Sequence, residues 1–407
     1  MFFFHRDNLF ILLIKQYYPF LLIILLYTFN CISFLQITFF YLALCTYIHF
    51  FSKTTLSYHK TPFTDSLLSR CPTISSCNYK PPFLFPFNPL QLLLLNLTLV
   101  KPTHKVTVTR DVVNENGIAL DWVQYDSLTS QSNTTKPILL ILPGLTGTVD
   151  DAYVMNICDK GLLNGYNVAI YQMRLLNPQV QMNKDSSPVN LFDDLDCAVD
   201  FIRNKFGKDS EIYGIGFSYG ANQLVRYLGE KDYKYNKIKG GVSISNPFEF
   251  LVFAKLCEGT IYSRMLLMFL QKVYKRTRHA LLSEKDLKLN DDVLLNTITL
   301  YEFDTYYTAK IMGYSSACDY YRNIGCAKFI GNINVPLLCV HAMDDQITNA
   351  RVIPYFDIES NPNVILLRTD YGTHTCYLEN EGLFALRQWI VKPSIEFVNA
   401  IRNTSKQ

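Results

Sequence analysis

The chain has 407 residues and a mass of 47.0 kDa, enough for one α/β domain of ~250–300 residues with additions. A formal charge of +3, from 38 Lys+Arg against 35 Asp+Glu, leaves no electrostatic footprint for nucleic-acid binding. Hydrophobic residues make up 49% and charged residues only 18%, which excludes a disordered chain and argues against a wholly soluble one. Eleven cysteines, with no CxxC pair and no Cys/His cluster, speak against a zinc site or a dense disulfide scaffold.

The apolar excess lies first. From Gln16 to Ser52 there is no Asp, Glu, Lys or Arg, a run well beyond the ~20 residues that span a bilayer. It is longer than the core of a signal peptide and lacks a small-residue cleavage site, so an uncleaved anchor is expected. Single-pass is the favoured form, in an endomembrane such as the endoplasmic reticulum. Two short passes broken near Lys15 or Asn30 are the alternative. The basic residues on either side, Arg6 and Lys15 against Lys53, Lys60 and Arg70, do not decide orientation. Residues 1–60 are therefore assigned to an anchor. Residues 61–105 read as a linker, because Pro72, Pro81, Pro82, Pro86 and Pro89 forbid a continuous helix, followed by the apolar segment Leu90–Leu99.

After residue 100, short apolar runs alternate with helix-length segments. Strands are expected at Val106–Thr109, Leu120–Tyr125, Pro137–Leu142, Asn167–Tyr171, Glu211–Ile215, Gly241–Ser245, Pro336–His341 and Asn363–Thr369. Helices are expected at Asp151–Leu163, Leu191–Asn204, Ala221–Leu228 and Leu383–Ala400. This alternation implies an α/β fold with a mostly parallel sheet covered on both faces. It stops between residues 251 and 330, a stretch too long for a loop and read as an inserted helical cap. The domain is thus divided into residues 106–250 and 331–407.

Gly216-Phe217-Ser218-Tyr219-Gly220 sits between an expected strand and an expected helix. A turn that tight crowds the backbone, and Gly216 and Gly220 relieve the crowding while Ser218 is held above the sheet edge. A serine hydroxyl needs a base to become a nucleophile. Of seven histidines, His374 alone lies in a loop between the last strand and the last helix; His341 ends a strand and packs there. The third member is a carboxylate after the Pro336–His341 strand, with Asp344 and Asp345 as candidates. Asp345 is favoured, because Gln346 and then an apolar Ile347 follow it. Its role would be to fix the imidazole tautomer and stabilise the imidazolium. Two backbone amides are expected to form an oxyanion hole, those of Tyr219 and of Leu145 in Pro143-Gly144-Leu145-Thr146-Gly147. No metal and no cofactor is implied.

These residues resemble a subfamily of the α/β-hydrolases that includes the membrane-anchored ABHD-type lipases of animals, the plant EMB8-like proteins and the bacterial YheT-like esterases. The resemblance covers about residues 70–400. It rests on Arg70-Cys71-Pro72, Leu120-Asp121-Trp122, the Pro143–Gly147 loop and Gly216–Asn222. It continues through Tyr227-Leu228-Gly229-Glu230, Glu302-Phe303-Asp304, Asp319-Tyr320-Tyr321-Arg322 and Ala342-Met343-Asp344-Asp345. It implies an N-terminal anchor, a triad of Ser218, Asp345 and His374, and hydrolysis of esters in lipids such as phospholipids and acylglycerols. The implied partners are a lipid ester and a membrane. Departures lie at Pro143, Tyr219, Gln346 and Thr373, none of which removes a reacting group. An acyltransferase with the same triad, or a lipid-binding protein without activity, is the alternative reading. Phe83–Phe87, Leu90–Leu99 and Leu266–Leu270 are expected to line an apolar path to Ser218.

Overall fold

The computed structural model describes residues 34–86, 91, 94–95, 104–114, 117–126, 136–145, 147–174, 191–282, 289–382 and 385–404. The first half of the charge-free run and most of Leu90–Leu99 lie outside them.

Nine strands form one sheet: β1 (Thr54–Tyr58), β2 (Val106–Val112), β3 (Ala119–Tyr125), β4 (Ile138–Leu142), β5 (Asn167–Gln172), β6 (Ile212–Phe217), β7 (Ile238–Ile244), β8 (Leu337–Ala342) and β9 (Val364–Thr369). Their order is β1-β9-β8-β7-β6-β4-β5-β3-β2. From β5 to β9 the neighbours run parallel, whereas β1, β2 and β3 join antiparallel. Every residue of β4, β6 and β8 is buried, as central parallel strands require.

The alternation of side chains along β4 sorts the core into two layers. Ile138, Leu140 and Leu142 pack on one face, with Leu195, Val199 and Ile202 of helix α5 (Leu191–Phe206) and Leu224 of α6 (Tyr219–Glu230). Leu139 and Ile141 pack on the other, with Ile157 of α4 (Ala152–Leu163) and Phe397 and Ile401 of the last helix, α14 (Val391–Thr404). The buried positions of α5 recur every three or four residues, the mark of a helix with one face inward. Between β7 and β8 the chain leaves the sheet to build a helical cap. Its parts include α7 (Phe250–Cys257), α8 (Ile261–Leu282), α9 (Asp291–Leu295), and α10 (Leu300–Phe303) running through a π-helical turn at Asp304–Thr308 into α11 (Ala309–Ile311). Helix α12 (Ala317–Ile324) completes it, and a short helix, α13 (Tyr355–Ser360), lies between β8 and β9.

The N-terminal side differs from the sequence expectation. Helix α1 (Phe34–Phe51) is 18 residues of the charge-free run, long and apolar enough by length and composition to cross a membrane, with most of its side chains exposed. Directly after it, β1 pairs antiparallel with β9, Thr54 opposite Thr369 and Tyr58 opposite Ile365. The stretch read as a linker packs into the domain. Short helices α2 (Pro62–Ser69) and α3 (Pro72–Ser75) begin on prolines, which the first helical turn accepts. Leu67, Leu68, Cys71, Ile74 and Tyr79 are buried against the sheet face that carries α14. The helix expected from Leu383 starts only at Val391, because Leu386–Gln388 forms a strand (β11) paired with Leu378–Asn380 (β10).

Candidate active site

Strand β6 ends at Phe217 and α6 starts at Tyr219, so Ser218 alone makes the turn. Its backbone lies at φ 52° and ψ −116°, a conformation that costs a non-glycine residue ~1–3 kcal/mol. The turn is held by the Ser218 N–H, which donates to the Ile244 carbonyl of β7 at 2.8 Å. A Cβ at Gly220 would come within 2.2 Å of the Leu142 carbonyl oxygen, so only glycine lets α6 start this close to β4.

Asp345 and His374 meet in the loops that follow β8 and β9. The Oδ2 atom of Asp345 lies 2.8 Å from Nδ1 of His374. Its Oδ1 accepts the N–H groups of Ile347 (2.9 Å) and Thr348 (2.8 Å), an Asx-type turn that fixes the carboxylate. The Thr348 hydroxyl donates to Oδ2 at 2.6 Å and lies 3.3 Å from His374 Nδ1. Burial pushes the Asp345 carboxyl up, but the adjoining His374 imidazole and these hydrogen bonds outweigh it and hold the acid below its ordinary value. His341 packs in β8 as expected, its Nε2 at 2.8 Å from the Thr348 carbonyl, and burial lowers its pKa.

Asp344 does a different job. Its Oδ1 accepts the Thr373 N–H at 2.8 Å, tying the histidine loop to the end of β8. Burial drives its pKa up to about 8, opposed by the Thr373 N–H and reinforced by the neighbouring Asp345. The folded protein therefore keeps a proton on Asp344 across a window, from the ordinary value of 3.8 to about 8, in which the unfolded chain has released it. The stability this proton confers is complete below the lower value and is lost as pH rises toward the upper one. Asn mimics the protonated acid, with one acceptor and one donor side. Asp344→Asn should therefore leave the melting temperature near wild type at pH 4 and raise it by about 5 °C or more at pH 8. A gain independent of pH in thermal unfolding would contradict this account.

Ser218, Tyr219, Gly144, Leu145 and His374 line a single cavity of about 230 Å3. A Cβ at Gly144 would lie 3.4 Å from Ser218 Cβ, which puts the Pro143–Leu145 backbone beside the serine. Tyr219 is the first residue of α6, where an N–H has no acceptor within its own helix. The rest of the cavity wall is mainly apolar, with Met173, Leu191, Phe250, Phe253, Leu266 and Leu270. Leu266 and Leu270 thus lie where the sequence placed them. Phe83 does not; it packs edge-on against His49 of α1, and the Phe83 N–H donates to Asn380. Of Leu90–Leu99, Leu95 is buried against Cys376 and Leu378, just past His374.

Two further residues belong to the site. Thr348 bridges the acid and the imidazole. The Tyr153 hydroxyl accepts the Gly144 N–H at 3.2 Å and lines the cavity beside Ser218. A polar cluster lies in the cap wall: Asp304 accepts from Tyr321 (2.6 Å) and Thr308 (2.5 Å), and the hydroxyls of Tyr219 and Tyr320 are 3.4 Å apart. Among the described residues there is no group of His, Cys, Asp and Glu side chains arranged to hold a metal ion.

A strained serine between a strand and a helix, a buried acid–imidazole pair from the ends of later strands, and a helical insertion over them define a class, and residues 137–381 match the α/β-hydrolase fold family. The chain belongs to that family. Among its relatives are the embryogenesis-associated protein EMB8 of Picea glauca, 32% identical over 244 residues, and human phospholipase ABHD3, 24% identical over 336 residues. A third is a Saccharomyces cerevisiae monoacylglycerol lipase, 29% identical over 278 residues. The matches take in 58%, 78% and 66% of this chain, and 52%, 77% and 60% of those proteins, respectively. This chain thus spans only about half the length of the spruce protein.

Proposed function

We propose that the protein is a membrane-anchored serine hydrolase of lipid carboxylic esters. The observation that carries this reading is that His374, bonded to Asp345 through Nδ1, lines the same mainly apolar cavity as Ser218. The lipase and phospholipase relatives support the same class. In this mechanism His374, its Nδ1 held by Asp345, takes the Ser218 proton at Nε2 as the Ser218 oxygen attacks the ester carbonyl. The carbonyl oxygen gains the negative charge and is met by the N–H groups of Tyr219 and Leu145. As the tetrahedral intermediate collapses, the C–O bond to the alcohol breaks and His374 returns the proton to the leaving oxygen. Water, deprotonated by the same imidazole, then attacks the acyl-enzyme; the acyl bond to the Ser218 oxygen breaks, His374 returns the proton to that oxygen, and the fatty acid leaves. Attack by an alcohol would instead transfer the acyl group.

Helix α1 and the charge-free residues before it would keep the enzyme where its substrate is concentrated. The endoplasmic reticulum or another endomembrane is the proposed location. Membranes carrying the full-length protein should retain it through an alkaline carbonate wash. The washed membranes should then release free fatty acid from added phospholipid or acylglycerol. Protein freed by carbonate would remove the integral anchor from this reading, and washed membranes with no esterase activity would remove the function.

A further inference from the structure

The cap carries an exposed stripe that the reaction does not use. On α8, Ile261, Met265 and Met268 are 66%, 60% and 69% exposed. Spaced four and three residues apart, they form one line along the helix. The line continues through Lys272, Lys275 and Arg276, all exposed, while Tyr262, Leu267 and Tyr274 on the opposite side are buried. Arg278 turns back to Asp291 at 2.5 Å and is not part of it. An apolar stripe that runs on into three unburied cations has the chemistry of a helix lying on an anionic lipid surface.

Two further features say what covers the stripe. First, α1 and the cap leave the sheet from the same edge. Strand β1 starts opposite Thr369, the last residue of β9, and the Lys53 N–H that follows α1 donates to Asp370 at 2.8 Å. The cap begins just after the last residue of β7, a strand parallel to β8 and, through it, to β9. A bilayer holding α1 therefore lies toward the cap side of the domain. Second, a cleft of about 860 Å3 opens beside α8, lined by Leu251, Met268, Ile298 and Tyr301 among others. Its inner wall is shared: Ala254, Leu300 and Tyr321 line both this cleft and the cavity that holds Ser218.

We infer that the outer face of α8 seats in an anionic lipid surface, and that the cleft beside it admits a lipid acyl chain toward Ser218. What the cleft admits rests on the proposed lipid-ester activity; the seating does not.

Trp122 and Trp389 are both buried, so a tryptophan placed on the surface reports on its own surroundings. Full-length wild type, Met268→Trp and Tyr235→Trp would be reconstituted in vesicles of phosphatidylcholine and phosphatidylserine with brominated acyl chains. Tyr235 is 70% exposed and precedes β7, at the opposite edge of the sheet. Bromine should quench the added tryptophan at 268 by about twofold or more, and the one at 235 hardly at all. Omitting phosphatidylserine, or changing Lys272, Lys275 and Arg276 to Glu, should remove about half of that quenching or more. Ile261→Glu combined with Met265→Glu should slow fatty-acid release from vesicle lipid about tenfold, while hydrolysis of a water-soluble short-chain ester stays within about twofold. Equal quenching at 268 and 235 overturns the proposal. So does unquenched, blue-shifted emission at 268 with a doubled protein mass, which would put a second copy of the chain on the stripe. Quenching that ignores phosphatidylserine overturns the anionic preference. If position 268 is quenched but wild type hydrolyses neither ester, the seating stands and the lipid-ester activity falls.

Discussion

Ser218→Ala should abolish hydrolysis of both soluble and lipid esters while leaving the protein folded. The change removes one oxygen from the wall of the cavity and keeps the Cβ, so packing around the turn is unaltered. The hydrogen bond that holds the turn is made by the backbone N–H to Ile244, and alanine retains it. The melting temperature should therefore match wild type within about 2 °C, because alanine carries the same backbone strain at φ 52° as serine does. Loss of activity with loss of fold would say nothing about chemistry, so circular dichroism of the same sample belongs to the experiment. A folded Ser218→Ala protein that still turns over short-chain esters would make the strained turn structural only.

Asp345→Asn should lower kcat by about 10⁴-fold with little change in KM. The Asn side chain keeps an oxygen for the Ile347 and Thr348 N–H groups, so the turn survives. Its amide then faces His374 Nδ1 with a donor where the carboxylate accepted, and the imidazole is left in the wrong tautomer to take a proton from Ser218. Asp344→Asn should cost far less, since Asp344 reaches the backbone of Thr373 and not the imidazole. Steady-state kinetics on the two variants decide the matter. The reverse ranking would move the acid to Asp344 and contradict the geometry.

Much of the sheet was legible because its central strands are short, wholly apolar runs bounded by turn residues. Ile138–Leu142 and Leu337–Ala342 fall within one residue of the positions read from the sequence. Strand β1 was not legible. Thr54–Tyr58 has only a weak alternation and adjoins the apolar run; what makes it a strand is the exposed edge of β9, more than 300 residues away. Pro72 reads as a helix breaker in the sequence, yet it starts a helix, as Pro62 does, and the domain covers the apolar faces of both. At the site, the strand-turn-helix signal around Ser218 and the strand-end positions of His374 and the two aspartates stood out. Thr348 did not, although its place three residues after Asp345 is a usable turn signal. Tyr153 carries no local signal, since its hydroxyl meets Gly144 only through the packing of α4 against β4.

That Ser218 Oγ is the atom that takes the acyl group can be tested by locating a covalent adduct. Full-length protein in detergent would be treated with an alkyl fluorophosphonate, digested and analysed by peptide mass spectrometry. The expected result is one phosphonyl group, on Ser218, lost when His374 is changed to Ala because the hydroxyl then has no base. An adduct on another residue, or active protein that takes up no phosphonyl group at Ser218, would contradict the account.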